Sequence, residues 1–327
     1  MRIGLLSRCP GKLLFSFCIC PAPQELLSYM IFGLLIIIRY NMLNLAQWKE
    51  SGNYCTIRGH QIFYRIEGTG QPLLLLHGFP TNSWDWHKIY PVLKLKFQVV
   101  TLDLLGFGFS DKPTDHEYSL FEQADIVEEL LEELNIKNAA LMAHEYGGAV
   151  LQELLTRQQS GALHFRINRA IMLNGGLFHS VYKPKLIQKL LNTPLGFLIV
   201  KLFNKKAFER VMRSIFSRTA QPSKVELTSM WEAANLQNGA LNCHRIARYL
   251  SERKRQAARW EEAIVHANIP LLFINGVLDS ISGEAMCDYY EHHVPDPNVV
   301  RLQTGHYPHQ EAPKEVLQSA LTFLLEP

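Results

Sequence analysis

The sequence predicts an α/β protein: a mostly parallel sheet with helices on both faces and a helical cap inserted between strands 6 and 7. Three observations predict it. Short apolar runs typical of buried parallel strands alternate with segments of helical periodicity. The alternation stops only between about 178 and 263, where helix formers dominate and no strand-like run occurs. Small residues, carboxylates and a histidine fall just after the apolar runs, at what would be one edge of the sheet.

Two runs, 54–58 and 61–66, flank Gly59-His60 and read as a hairpin. Apolar runs at 72–76, 97–102 and 139–142 read as buried strands, and 169–173, 270–274 and 299–303 supply three more. Between the fourth and fifth runs a helix over 120–134 places Phe121, Ala124, Val127, Leu130, Leu131 and Leu134 on one stripe. Ser119 caps it, with Glu122 three residues on to complete a capping box. A helix follows at 147–157, and a last one opens at Pro313. The division is a leader over 1–41, a core formed by 42–177 and 264–327, and a cap over 178–263.

Charge sharpens this division. The chain has 33 Lys+Arg and 30 Asp+Glu, but Arg2, Arg8, Lys12 and Arg39 against Glu25 place the whole excess in the leader. A neutral body argues against a nucleic-acid partner. The basic run Arg253-Lys254-Arg255 reads as a solvated helix face. Six cysteines, Cys9, Cys18, Cys20, Cys55, Cys243 and Cys287, show no C-x-x-C spacing, so the body is expected to be reduced and to hold neither metal nor cofactor. In the leader, the apolar run 26–38 is short of the roughly 20 residues that span a bilayer. It reads as a membrane anchor, as an export signal, or as lying outside a protein that starts at Met42. The body is expected in the cytoplasm, with 26–38 as its route to a membrane.

The strand ends collect His77-Gly78-Phe79-Pro80, Asp103 to Gly108, Ala143 to Gly148, Asn174-Gly175-Gly176, Gly276 to Asp279 and Gly305-His306. The block at 143–148 follows a strand and opens a helix with small neighbours around Glu145, the pattern of a nucleophile elbow. A helix-start glutamate favoured by the helix dipole is the other reading. Glu145, Asp279 and His306 follow the chain order nucleophile, acid, histidine. His309 is the rival base, and His77 reads as a packed structural histidine. GFGFS at 106–110 lacks the Lys-Ser/Thr of a phosphate loop and reads as a tight loop.

HGFP at 77–80, GFGFSDKP at 106–113, the elbow, GVLD at 276–279 and GHYPHQEAP at 305–313 occur in matching order and spacing. On these motifs the chain resembles the α/β-hydrolase superfamily, in the branch of epoxide hydrolases and haloalkane dehalogenases. HGFPT followed by Trp86, the NGG at 174–176, Met230-Trp231 and Arg248-Tyr249 through Trp260 resemble the mesoderm-specific transcript hydrolase-like group. The likeness covers about residues 48–325.

The resemblance implies that the elbow carboxylate attacks carbon and forms an ester with the enzyme. His306, oriented by Asp279, then activates water. Backbone N–H groups of Phe79 and Tyr146 would form an oxyanion hole. Tyr249 and Tyr182 are the candidates to protonate the opening oxygen, Tyr249 first on its motif, with Trp86 beside the substrate, and a cis bond is expected at Phe79-Pro80. The branch carries Asp at the elbow, whereas this chain carries Glu, moving the carboxylate by over about 1 Å. Tyr146 and Phe79 stand where dehalogenases of the branch usually have Trp and Asn. The expected function is hydrolysis of an epoxide or related small hydrophobic electrophile. The alternatives are a non-catalytic binding protein of the same fold and a dehalogenase-like enzyme.

Overall fold

The computed structural model describes residues 42–326. Eight strands form one sheet: β1 (Asn53–Ile57), β2 (His60–Glu67), β3 (Gln71–Leu76), β4 (Phe97–Leu102), β5 (Asn138–His144), β6 (Arg166–Leu173), β7 (Leu271–Gly276) and β8 (Val299–Leu302). Their spatial order is β1-β2-β4-β3-β5-β6-β7-β8. β1–β2 and β2–β4 are antiparallel, and every later pair is parallel. The leader, with its apolar run at 26–38, lies outside the described residues. Among the described residues no helix is long and apolar enough to cross a membrane.

The parallel strands are buried on both faces, so their residues are apolar without alternation. In β3, Leu74 and Leu76 enter the core on one face of the sheet, and Leu73 and Leu75 enter the core on the other. Full burial of each such leucine contributes about 1.5–3 kcal/mol, which fixes the central strand as the rigid axis of the site.

Three details differ from the sequence reading. The hairpin turn is Arg58-Gly59, both at positive φ, and His60 is already in β2 paired with Ile57; a two-residue turn of that hand matches the strand twist. Ser119 does cap the helix Leu120–Glu133, accepting from the N–H groups of Phe121 and Glu122. Glu122, however, turns away from the cap to His116 at 2.7 Å, and Glu252 accepts from the N–H of Leu120, the first residue of the helix. In the basic run only Lys254 and Arg255 are solvated. Arg253 is buried, with its guanidinium 4.6 Å from the ring of Tyr182.

Between β6 and β7 the chain is helical: Leu186–Leu191, Gly196–Leu202, Lys205–Ile215, Lys224–Asn235, a 3₁₀ turn at Leu236–Asn242, Cys243–Ile246 and Tyr249–Val265. The last of these packs on the helix Tyr146–Gln159 that follows β5. This contact brings the far end of the helical segment over the carboxyl ends of the parallel strands.

Candidate active site

β5 ends at His144 and the next helix begins at Tyr146, so Glu145 alone makes the turn. Its φ of 46° and ψ of −98° are strained for a residue with a side chain. Glycines permit the turn. A Cβ on Gly147 would lie 2.5 Å from the carbonyl oxygen of Leu76, and one on Gly175 would lie 2.9 Å from Cα of Glu145. The strain lifts the glutamate out of the sheet at the start of a helix, where the dipole favours negative charge.

The Glu145 side chain is only 2% exposed, and both oxygens are held. Oε2 accepts from the Phe79 N–H at 3.0 Å, and Oε1 accepts from the Tyr249 hydroxyl at 2.7 Å. Phe79 precedes a cis bond to Pro80. The Tyr146 N–H makes no hydrogen bond to the carboxylate among the described residues. Tyr182 joins the group, its hydroxyl 3.4 Å from that of Tyr249, so the two tyrosines meet. Gln188 also donates to the Tyr249 oxygen at 3.2 Å. Burial, then the charge of Glu145, pushes the Tyr249 phenol well above its usual range. Burial and Glu145 raise Tyr182 as well, against an opposing pull from Arg253. Both phenols therefore keep their protons at neutral pH.

Asp279 follows β7 and His306 follows β8, and the two meet through His306 Nδ1 and Asp279 Oδ2 at 2.8 Å. Asp279 accepts four more hydrogen bonds, from the side chains of Asn174 and Ser282 and the N–H groups of Ile281 and Ser282. Burial opposes ionisation of Asp279, but the charge of His306 and these hydrogen bonds outweigh it and hold the carboxyl below its usual range. For His306 burial likewise opposes the charged form; Asp279 and then Glu145 overcome it, and the imidazole is raised. The Asp279 bond to Nδ1 leaves Nε2 of His306 as the basic nitrogen.

The rival His309 is fully buried with neither ring nitrogen bonded, 4.6 Å from the Trp86 ring. His77 is structural: its Nε2 accepts from the Leu104 N–H at 3.1 Å. Trp86 is fully buried in a 3₁₀ helix and is not among the residues lining the cavity under the helical segment. Asn174, Ser282 and Gln188 were not assigned roles from sequence. Only Asn174, just after a strand and within an NGG, carried a positional signal.

Asp85, His144 and His309 bring one ligand atom each to within 4.8 Å of one another, all buried. His144 Nε2 is already committed to the His306 carbonyl at 2.8 Å, so this set adjoins the His306 loop.

A cavity lies between the strand ends and the helical segment. Phe79, Pro80, Ile281 and His306 line its floor, and Gln188, Leu191, Val200, Phe208, Met212 and Trp231 are among its roof residues. Its walls are almost wholly apolar. Such walls suit a small lipophilic molecule.

Residues 71–313 match the family described as having the alpha/beta hydrolase fold. The mesoderm-specific transcript protein of Mus musculus is 38% identical over 293 residues, covering 86% of this chain and 88% of that protein. Among solved structures, the epoxide hydrolase CorEH superposes with a TM-score of 0.70 at 19% identity, over 84% of this chain and 98% of its own. The haloalkane dehalogenase DbeA of Bradyrhizobium elkani does so with a TM-score of 0.72 at 22% identity, over 84% and 97%. At that identity both likenesses establish the fold alone.

Proposed function

This chain belongs to the alpha/beta hydrolase fold family, and within it we propose a hydrolase that opens an epoxide or related electrophile through a covalent glutamyl ester. One observation carries the reading: Glu145 stands on a strained elbow with one oxygen on a backbone N–H and the other on a tyrosine hydroxyl. The helices from 178 to 263 serve as the cap over this site.

Oε1 of Glu145 attacks an epoxide carbon as its C–O bond breaks, and Tyr249, with Tyr182 beside it, gives its proton to the leaving oxygen. The epoxide oxygen thus takes over the hydrogen bond that Tyr249 gives to Oε1 in this structure. His306 Nε2 then removes a proton from water, which adds to the ester carbon of Glu145. The negative charge that develops on Oε2 is met by the Phe79 N–H, and Tyr146 is assigned the second donor. Collapse releases the diol and restores the carboxylate. The proton on His306 returns to the tyrosinate.

The longer glutamate is accommodated, in this reading, because Phe79 and Tyr249 grip its carboxylate where it lies. A binding protein of the same fold is the second reading. It is favoured by the cavity lining, which includes Phe79 and His306 but not Glu145. Incubation of His306→Gln and His309→Gln with a panel of epoxides separates the two. The expected result is a covalent adduct that accumulates in His306→Gln and not in His309→Gln. Equal behaviour of both variants, with no adduct and no turnover in the unaltered protein, supports the binding protein instead.

A further inference from the structure

From residue 177 to residue 208 the chain carries Lys183, Lys185, Lys189, Lys201, Lys205 and Lys206 and no aspartate or glutamate. The chain beyond residue 41 is neutral overall, so this excess is balanced by acids elsewhere and the body is charge-polarised. The same stretch holds the helices Leu186–Leu191 and Gly196–Leu202, packed against each other. Apolar side chains stand in water on both. Leu186 is 71% exposed and Leu202 81%, with Leu190, Leu195, Phe197 and Leu198 between 40% and 62%. A water-facing surface seldom concentrates so many large apolar groups without a use for them.

The opposite sides of these helices matter equally. Ile187, Gln188, Leu191 and Val200 line the cavity that reaches Phe79 and His306. The exposed leucines are therefore the outer surface of the cavity wall. On the second helix Phe197, Leu198, Lys201 and Leu202 form one stripe, with the Lys201 ammonium 5.9 Å from the centre of the Phe197 ring.

We propose that this helical pair docks the protein on the surface of an anionic lipid bilayer. Leucines enter the acyl boundary and lysines meet headgroup phosphates, the pattern of an interfacial amphipathic surface. Charge selects this occupant over a second copy of the chain. A two-fold contact through the patch would set Lys189 and Lys201, exposed on the two helices, against those of the other copy. Docking places the outer wall of the cavity in the bilayer, the source of a lipophilic substrate. It stands whether or not Glu145 turns a substrate over, and its test reads binding alone.

The test is co-sedimentation of the full chain with vesicles of phosphatidylcholine, with or without phosphatidylserine. Two exposed-site variants accompany it, Leu198→Asp with Leu202→Asp and Lys189→Glu with Lys201→Glu, each checked for folding by circular dichroism. Because a lysine near an anionic surface strengthens binding roughly fivefold, the unaltered protein should prefer serine-containing vesicles by at least about tenfold. Each variant should lose at least about tenfold in binding while staying folded. Equal binding to neutral vesicles, or undiminished binding by both folded variants, overturns the proposal and passes membrane contact to another part of the chain. A concentration-dependent dimer that the leucine variant dissolves, without vesicle binding, overturns it in favour of a second copy.

Discussion

On the floor side of the cavity, where His306 lines the space and Glu145 and Asp279 do not, all three side chains are buried and each is hydrogen-bonded to neighbours fixed at strand ends. At its roof Leu186 and Leu202 stand mostly in water, on helices of six and seven residues. The floor is set by close approach, as at Gly147 and Gly175, where no Cβ fits. The roof is set by an apolar inner side alone. Such a division puts precision where bonds are made and adaptability where a ligand enters. It also predicts that the two walls respond differently to change.

The largest expected effect is at the floor. Glu145→Gln should abolish epoxide turnover. Glu145→Asp should lower it by about 100-fold, since withdrawal of the carboxylate by about 1 Å costs that much. Steady-state assays on a panel of epoxides check both, and a gain of activity in the aspartate variant would mean that the site is a relic fitted to the shorter residue. Next comes backbone fit. Gly147→Ala should destabilise the fold by about 1–3 kcal/mol, because its methyl meets the Leu76 carbonyl. Leu202→Ser at the roof should change stability by less than about 0.5 kcal/mol. Chemical denaturation of the two variants tests that contrast.

Much of the floor was legible because it is local in sequence. Apolar runs marked the strands, and the residues after them had to lie at one edge, so Glu145, Asp279 and His306 could be collected before any geometry. The meeting of Tyr182 with Tyr249 was not legible from spacing, since 67 residues separate them and tertiary packing alone joins them; the family likeness supplied the two candidates but not their contact. Arg253 misled because charge runs usually face water, whereas here Gly176 leaves room for its guanidinium beside Tyr182. The outer face of the roof was hidden by the same logic that found the core: six lysines spread over 177–208 form no run.

Smaller effects should appear with pH. His306 has a raised pKa and must be neutral to take a proton, so turnover should fall as pH drops through a value above the ordinary 6.5. Asp279→Asn removes the charge that raises it and should move that limb to lower pH, besides lowering the rate. A pH–rate profile of the two proteins reads this. Burial lowers His144 and His309 well below 6.5, so the folded state holds them neutral where the unfolded chain would bind protons. Stability should therefore fall as pH drops below about 6.5, by at most about 1.4 kcal/mol per pH unit for each histidine. His306 acts in the opposite sense: its contribution is complete below the unfolded pKa and is lost as pH rises through the folded one. Denaturation of His309→Gln across pH 5–8 should show a shallower decline; an unchanged slope would remove His309 from that account.

The central claim is that Glu145 itself forms and loses a bond. Single turnover in ¹⁸O-labelled water, with protein in excess over an epoxide, tests it most directly. Attack by Glu145 gives the diol one of the glutamate's own unlabelled oxygens and leaves ¹⁸O in the Glu145 carboxylate, read by peptide mass spectrometry. A first-turnover diol carrying ¹⁸O, with Glu145 unlabelled, would show that water attacks the substrate directly and would contradict the account.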